Sequence, residues 1–307
     1  MNKSLIILAL AISCLKPALA ATVTIAAAAD LTYCIQELDQ KYRHNHPDAE
    51  LKVSTGSSGN FYTQIQPGAP FDVFLSADTS FPKKLVGQGL ADNSTLTVYA
   101  VGRLALWTTK PQTISLDKGI EVVRDPAVKR IAIANPEFAP YGRAAKAALE
   151  TAGLWNKIQN RIVMGENISQ TAQFVQSGNA DVGFVALSLL YTPALRNVGH
   201  YVQVDPKLYP PLQQALVLTK TGAGNPAAKD YLQFLNSSDA RAIFDRYGFE
   251  LPLAKADDGP PMAGASRAYG RIGAVGDIGP EAVADFWAWC RTANKLSTNL
   301  LPTRTIE

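Results

Sequence analysis

The sequence predicts an α/β fold: two open α/β lobes joined by two crossing strands, with a ligand cleft between the lobes. Three observations carry that reading. Short β-rich apolar runs alternate with helical patterns, a long β-type segment interrupts the rhythm, and a second such segment returns the chain before two final helices.

The elements follow in order. VTIAA (Val23 to Ala27) reads as a strand, and Leu31, Cys34, Ile35, Leu38 and Tyr42 share the spacing of one helical face, so a helix begins near Asp30. LKVST (Leu51 to Thr55) precedes a helix from about Ser58, and DVFLS (Asp72 to Ser76) precedes one over Pro82 to Gln88. Near-continuous apolar strands of this kind predict a parallel sheet covered on both faces. LTVYAVGRLALW, Leu96 to Trp107, is too long for one strand of a small sheet and reads as a crossing between lobes. The rhythm resumes with RIAIAN (Arg130 to Asn135), a helix from Tyr141, RIVM (Arg161 to Met164), a helix from about Ile168, and DVGFVAL (Asp181 to Leu187). QALVLTK, Gln214 to Lys220, is the return crossing, after which helices over Ala227 to Leu235 and Ala240 to Tyr247 pack on the first lobe. The expected boundaries are 21–100 plus 215–252 for the first lobe and 101–214 for the second.

Composition bounds the function. A chain of 307 residues, 47% hydrophobic and 18% charged, has the material for two compact lobes. With 29 basic against 26 acidic side chains, two of the basic ones in an N-terminal leader, the near balance argues against nucleic acid as a partner. Lys3, the apolar run Leu5 to Leu15 and the small-x-small Ala18-Leu19-Ala20 read as a secretory signal over residues 1–20, cleaved after Ala20. The run is too short to span a bilayer. A rival reading makes Cys14 of AISC a lipidated anchor, against which Ala11 is an unfavourable first residue of that motif. Cys34 and Cys290 would then remain, which is neither a disulfide framework nor a metal set, and no cofactor is implied. Residues 253–307 open on a Gly-, Pro- and Ala-rich stretch. PEAVADFWAWCRTANKL (Pro280 to Leu296) then places Val283, Phe286, Trp287 and Cys290 on one helical face. No part in ligand binding is expected of this tail.

The most informative stretch is GSSGNFYTQI, Gly56 to Ile65, a helix start with two hydroxyls, two glycines and no bulky or charged group. The first N–H groups of a helix lack intrahelical acceptors and carry the positive end of the macrodipole, so Ser57 and Ser58 can join them in cradling an anion. Three other helix starts follow strands: Ala28-Ala29-Asp30, Pro140-Tyr141-Gly142 and Glu166-Asn167-Ile168-Ser169. Proline is tolerated at the first helical position, and Asn167 with Gln170 has capping-box spacing. Singly each is ordinary capping; jointly, two from each lobe, they point to a shared ligand. A serine hydrolase is the alternative from another class. Gly56-Ser57-Ser58-Gly59 only approximates a nucleophile elbow, and His44, His46 and His200 include no evident base. The same fold binding another small ligand is the remaining alternative: a ferric ion held by Asp30, Tyr62 and Tyr141, or a phosphate-like or organic anion.

These residues resemble the periplasmic molybdate-binding proteins of ABC importers, with the two-lobed type II solute-binding fold. The resemblance runs from about Val23 to Leu253 and rests on AAAADL, GSSGNFYTQIQPGAPFDVFLSAD, NPEFAPYG, GNADVGFVAL and FDRYGFELP. It implies a non-enzymatic periplasmic monomer that captures molybdate or tungstate and delivers it to ABC permease subunits. By residue, it implies ligand contacts around Ala29 and Asp30, from Ser58 with Ser57, and from the backbone N–H of Tyr141 and Ile168. Two departures stand out. Asp30 occupies a position where many members of the family have serine or another neutral polar residue, and Ala186 one where many have tyrosine. Asp30 either caps the first helix with its carboxylate turned aside or points inward and repels a dianion.

Overall fold

A computed structural model describes residues 22–252. The expected signal segment with Cys14 and Ala20, and the tail with Trp287 and Cys290, lie outside the described residues. The chain runs β1 (Thr22–Ala28), a 3-10 turn (Ala29–Leu31), α1 (Cys34–Asn45), β2 (Glu50–Gly56), α2 (Ser58–Ile65), β3 (Val73–Ser76), α3 (Ser80–Gly87), β4 (Thr97–Gly102) and β5 (Leu104–Thr108). It continues through β6 (Ile131–Ala134), α4 (Pro140–Thr151), α5 (Trp155–Ile158), β7 (Ile162–Gly165), α6 (Ile168–Gln176), β8 (Val182–Ala186), α7 (Leu187–Leu190) and β9 (His200–Gln203). β10 (Leu212–Leu218), α8 (Pro226–Leu235) and α9 (Ser238–Arg246) complete it.

Two five-stranded sheets result, ordered β2-β1-β3-β10-β4 and β7-β6-β8-β5-β9. The segment read as one crossing divides at Arg103, β4 belonging to the first sheet and β5 to the second, and the chain returns between β9 and β10. The expectation of parallel sheets is corrected: both are mixed. β1 pairs parallel with β2 and β3, and β6 with β7 and β8, but β10 and β5 run antiparallel to both their neighbours. Parallel pairing needs a crossover connection within the sheet, and these two strands arrive directly from the other sheet instead.

Alternation along the strands builds the core. In the first sheet Ile25, Leu75 and Leu216 face α1, α8 and α9, where they meet Leu31, Cys34, Leu38, Tyr231 and Phe244. Their neighbours Ala26, Phe74 and Val217 point to the other face and pack with Phe61, Ile65, Phe81 and Leu85 of α2 and α3. The expected helical stripe of Leu31, Cys34, Ile35, Leu38 and Tyr42 is buried throughout. The outer edge of β4 is covered by the end of the described chain, Val101 and Glu250 exchanging two backbone hydrogen bonds while Arg103 pairs with the Glu250 carboxylate. Among the described residues no helix is long and apolar enough to cross a membrane.

Candidate functional site

Four helix starts lie beyond the carboxyl ends of parallel strands: the 3-10 turn after β1, α2 after β2, α4 after β6 and α6 after β7. Two belong to each sheet, and they converge. Ala29, Asp30, Ser57, Ser58, Tyr141 and Ile168 line one cavity of about 10 Å³, completed by Ala28, Gly56, Ala77, Ala139 and Pro140. That volume fits a single compact group and excludes a ring or chain. No lysine, arginine or histidine lines it.

Local sequence sets each start. Ser57 is the N-cap of α2, its Oγ accepting from the Asn60 N–H at 3.3 Å, and Asn167 caps α6 by accepting from the Gln170 N–H at 3.0 Å. The Gln170 side chain reaches back to the Glu166 N–H at 2.7 Å, one residue before the partner a capping box prescribes. Pro140 opens α4 where no N–H is needed. As first-turn groups, the N–H donors of Ser58, Tyr141 and Ile168 have no intrahelical acceptor, and none donates elsewhere among the described residues. Ser58 adds a hydroxyl whose oxygen already accepts from the Ala77 N–H at 2.9 Å, so its own hydrogen is left to donate. The arrangement is a set of donors without a cation.

The two sheets also touch directly around the cavity. The Gly59 N–H donates to the Phe138 carbonyl at 2.8 Å, Ser169 Oγ donates to the Ala29 carbonyl at 2.8 Å, and Ser188 Oγ donates to the Asp30 carbonyl at 2.8 Å. Arg143 pairs with Asp78, the carboxylate that accepts from the first N–H groups of α3, and lies over the Phe81 ring.

Asp30 does not cap a helix. The 3-10 turn has Ala28 at its N-cap position with no side-chain cap, and α1 has Tyr33. Its carboxylate is buried, Oδ2 accepting from Gln214 Nε2 at 2.5 Å. Burial raises the Asp30 pKa to about 6, with the hydrogen bond from Gln214 and then the nearby Tyr141 hydroxyl opposing the rise. Gln214 also takes the Tyr99 hydroxyl at 2.6 Å on its Oε1 and donates to the Tyr141 hydroxyl at 3.2 Å. Burial and the nearby Asp30 push the Tyr141 phenol well above its ordinary range.

Sequence reasoning missed Gln214, Tyr99 and Gly102. The usable signals were a glutamine inside an apolar strand and a glycine inside another. Gln214 sits at a register shift against β4, the irregularity that re-aims a side chain, and a Cβ on Gly102 would stand 2.1 Å from the Tyr141 hydroxyl. The residues of the alternatives assemble only in part, Asp30 and Tyr141 lining the cavity without the others. Tyr62 bonds Gln88 away from the cavity, and His44, His46 and His200 are not among its lining residues.

Comparison with known proteins identifies the family. The family model described as bacterial extracellular solute-binding protein matches residues 23–250. The chain belongs to that family. This solute-binding protein is 40% identical over 242 residues to the molybdate-binding protein ModA of Rhodobacter capsulatus, covering 79% of the chain and 93% of the relative. It is 39% identical over 234 residues to ModA of Azotobacter vinelandii, covering 76% and 91%. Among solved structures, the Azotobacter vinelandii periplasmic molybdate-binding protein superposes with a TM-score of 0.71 at 34% identity, over 75% of this solute-binding protein and 99% of that chain.

Proposed function

We propose that this solute-binding protein captures a tetrahedral oxyanion, molybdate with tungstate alongside it, in the periplasm and hands it to the permease of an ABC importer without chemical change. The observation that carries the reading is the convergence of the unpartnered Ser58, Tyr141 and Ile168 N–H groups, with the Ser58 hydroxyl, on one small cavity free of cations. Charge-assisted hydrogen bonds contribute about 1.5–3 kcal/mol each, so a few fixed donors replace the hydration of a dianion without a lysine or arginine. Lobe 1 comprises 21–100 with 215–252 and lobe 2 comprises 101–214 in this reading. The donors of lobe 2 engage only when the lobes close on an anion already held by lobe 1.

A cavity of fixed size selects by radius. Molybdate and tungstate are nearly equal in size and larger than sulfate. Calorimetric titration is expected to give saturable binding for molybdate and tungstate, with little heat from sulfate. Phosphate retains a proton that requires an acceptor, and Asp30 is the one carboxylate among the residues lining the cavity. Silence with molybdate and tungstate alike would sink the proposal. Ser58→Ala is expected to weaken molybdate binding about ten- to a hundredfold, because it deletes one charge-assisted donor and strips the Ala77 N–H of its acceptor. Undiminished affinity in that variant would remove Ser58 from the site.

A further inference from the structure

One wall of the cavity carries a group that an anion site does not need. Asp30 lines the cavity at 1% exposure, and its Oδ1 is sealed from solvent with no hydrogen-bond partner. Among the described residues it is the one buried side-chain oxygen or nitrogen in that condition. Its surroundings offer no compensating charge. β10 presents the neutral Gln214 amide to Oδ2, α4 presents the Tyr141 phenol, and β4 presents the Tyr99 phenol behind Gln214. The Cys34 thiol of α1 lies near enough to feel the Asp30 charge, Tyr209 stands near Tyr141, and Ser188 of α7 bonds the Asp30 carbonyl. Cys34, Tyr99 and Tyr141 are all shifted toward their neutral forms, chiefly by burial, and no lysine, arginine or histidine contributes to the Asp30 shift.

A carboxylate and a divalent anion in one small cavity repel each other, and no cationic side chain lines the cavity to neutralise the carboxylate. We propose that capture takes up one proton from solvent per oxyanion, held on Asp30 Oδ1, so that the carboxyl becomes a donor to the ligand instead of a like charge beside it. The inference rests on the oxyanion reading above. The balance is simple: a dianion, an ionised Asp30 and one solvent proton give a complex in which the carboxyl is neutral and no covalent bond other than O–H has formed. Phosphate, which retains its own proton near neutral pH, would bring the same hydrogen bond from the ligand side and draw correspondingly less from solvent.

Burial, opposed by the hydrogen bond from Gln214, brings Asp30 to about 6 before any anion arrives, and a neighbouring dianion moves it further up. Above about pH 6, affinity is therefore expected to fall roughly tenfold per pH unit. The test is calorimetric titration of the full chain with sodium molybdate at about pH 7.5 in buffers of differing ionisation enthalpy, repeated with sodium phosphate. The expected result is an observed enthalpy that varies with buffer enthalpy with a slope near one proton for molybdate and a smaller slope for any phosphate binding. Asp30→Asn should abolish the molybdate slope and flatten the pH dependence. Gln214→Leu, which removes the donor to Oδ2, should move the onset of the fall to higher pH, and it serves if the asparagine variant does not fold. Molybdate binding with a slope near zero, or an unchanged slope in Asp30→Asn, overturns the proton proposal. Absence of molybdate binding in every buffer overturns the oxyanion reading itself.

Discussion

Replacing Gly59 with alanine is expected to weaken molybdate capture about ten- to two-thousandfold while leaving the thermal unfolding of the ligand-free protein nearly unchanged. A Cβ at Gly59 would stand 2.7 Å from both the Cα and the carbonyl oxygen of Phe138, backbone atoms of the other lobe that no rotamer change can move. The same residue donates its N–H to that carbonyl at 2.8 Å, so the methyl opposes a hydrogen bond that joins α2 to the loop leading into α4. Overpacking costs about 1–3 kcal/mol and the lost hydrogen bond about 0.5–1.5 kcal/mol. Both penalties fall on the closed arrangement, in which Tyr141 and Ile168 stand beside Ser58. The three nearest atoms to such a Cβ all belong to Phe138, so the closest obstruction comes from lobe 2. Calorimetry and a ligand-free melting curve check the two halves of the expectation. An alanine variant that binds normally would show that the lobes close without this contact; one that melts early would place the strain inside lobe 1.

What the sequence disclosed divides along the range of the interactions involved. The helix starts were legible because capping is local: Ser57 bonds three residues ahead and Asn167 does the same, and both patterns stand open in GSSGN and ENISQ. Arrival of all four at one cavity followed from the rule that ligands in open α/β sheets sit beyond strand carboxyl ends. Strand direction was less accessible. The apolar runs of β5 and β10 resemble those of their parallel neighbours, and only the route of the chain between sheets makes them antiparallel. The environment of Asp30 was out of reach, since its hydrogen-bond partner Gln214 lies 184 residues away and is aimed by a β-bulge. Two readings of Asp30 were therefore left standing. Tertiary packing supplies what neither contained, a carboxylate that is buried and half-partnered on a residue that lines the cavity.

The ligand-free protein is expected to lose stability as pH rises from about 4 to 6, the reverse of the usual acid-side behaviour. The reason lies in a second buried carboxylate, remote from the cavity. Asp39 of α1 is 6% exposed and accepts from the Tyr231 hydroxyl of α8 at 2.7 Å, in the layer that joins the first and eighth helices. Burial raises it from 3.8 to about 6, the Tyr231 bond and the Arg43 charge opposing the shift. A carboxyl with a folded pKa above its unfolded value binds its proton more tightly in the native state, so its contribution is whole below about 4 and gone above about 6. One such shift corresponds to roughly 3 kcal/mol at full effect, and Asp30 acts in the same direction. Asp181, held low by Lys110 and the Lys129 and Arg130 amides against its burial, works oppositely but below this window. Asp39→Asn keeps an acceptor for Tyr231 and removes the charge. At about pH 7.5 it is expected to raise stability by roughly 2–3 kcal/mol, about 5–10 °C in melting temperature for a domain of this size. The variant should also lessen the slope of the pH profile, leaving the part due to Asp30, because one of the two carboxyls that titrate between the states is gone. Denaturant titrations of both proteins across this range decide the matter: stability that climbs with pH in the native sequence, or an unaltered profile in Asp39→Asn, would mean that water reaches Asp39 and the carboxylate is hydrated where it sits.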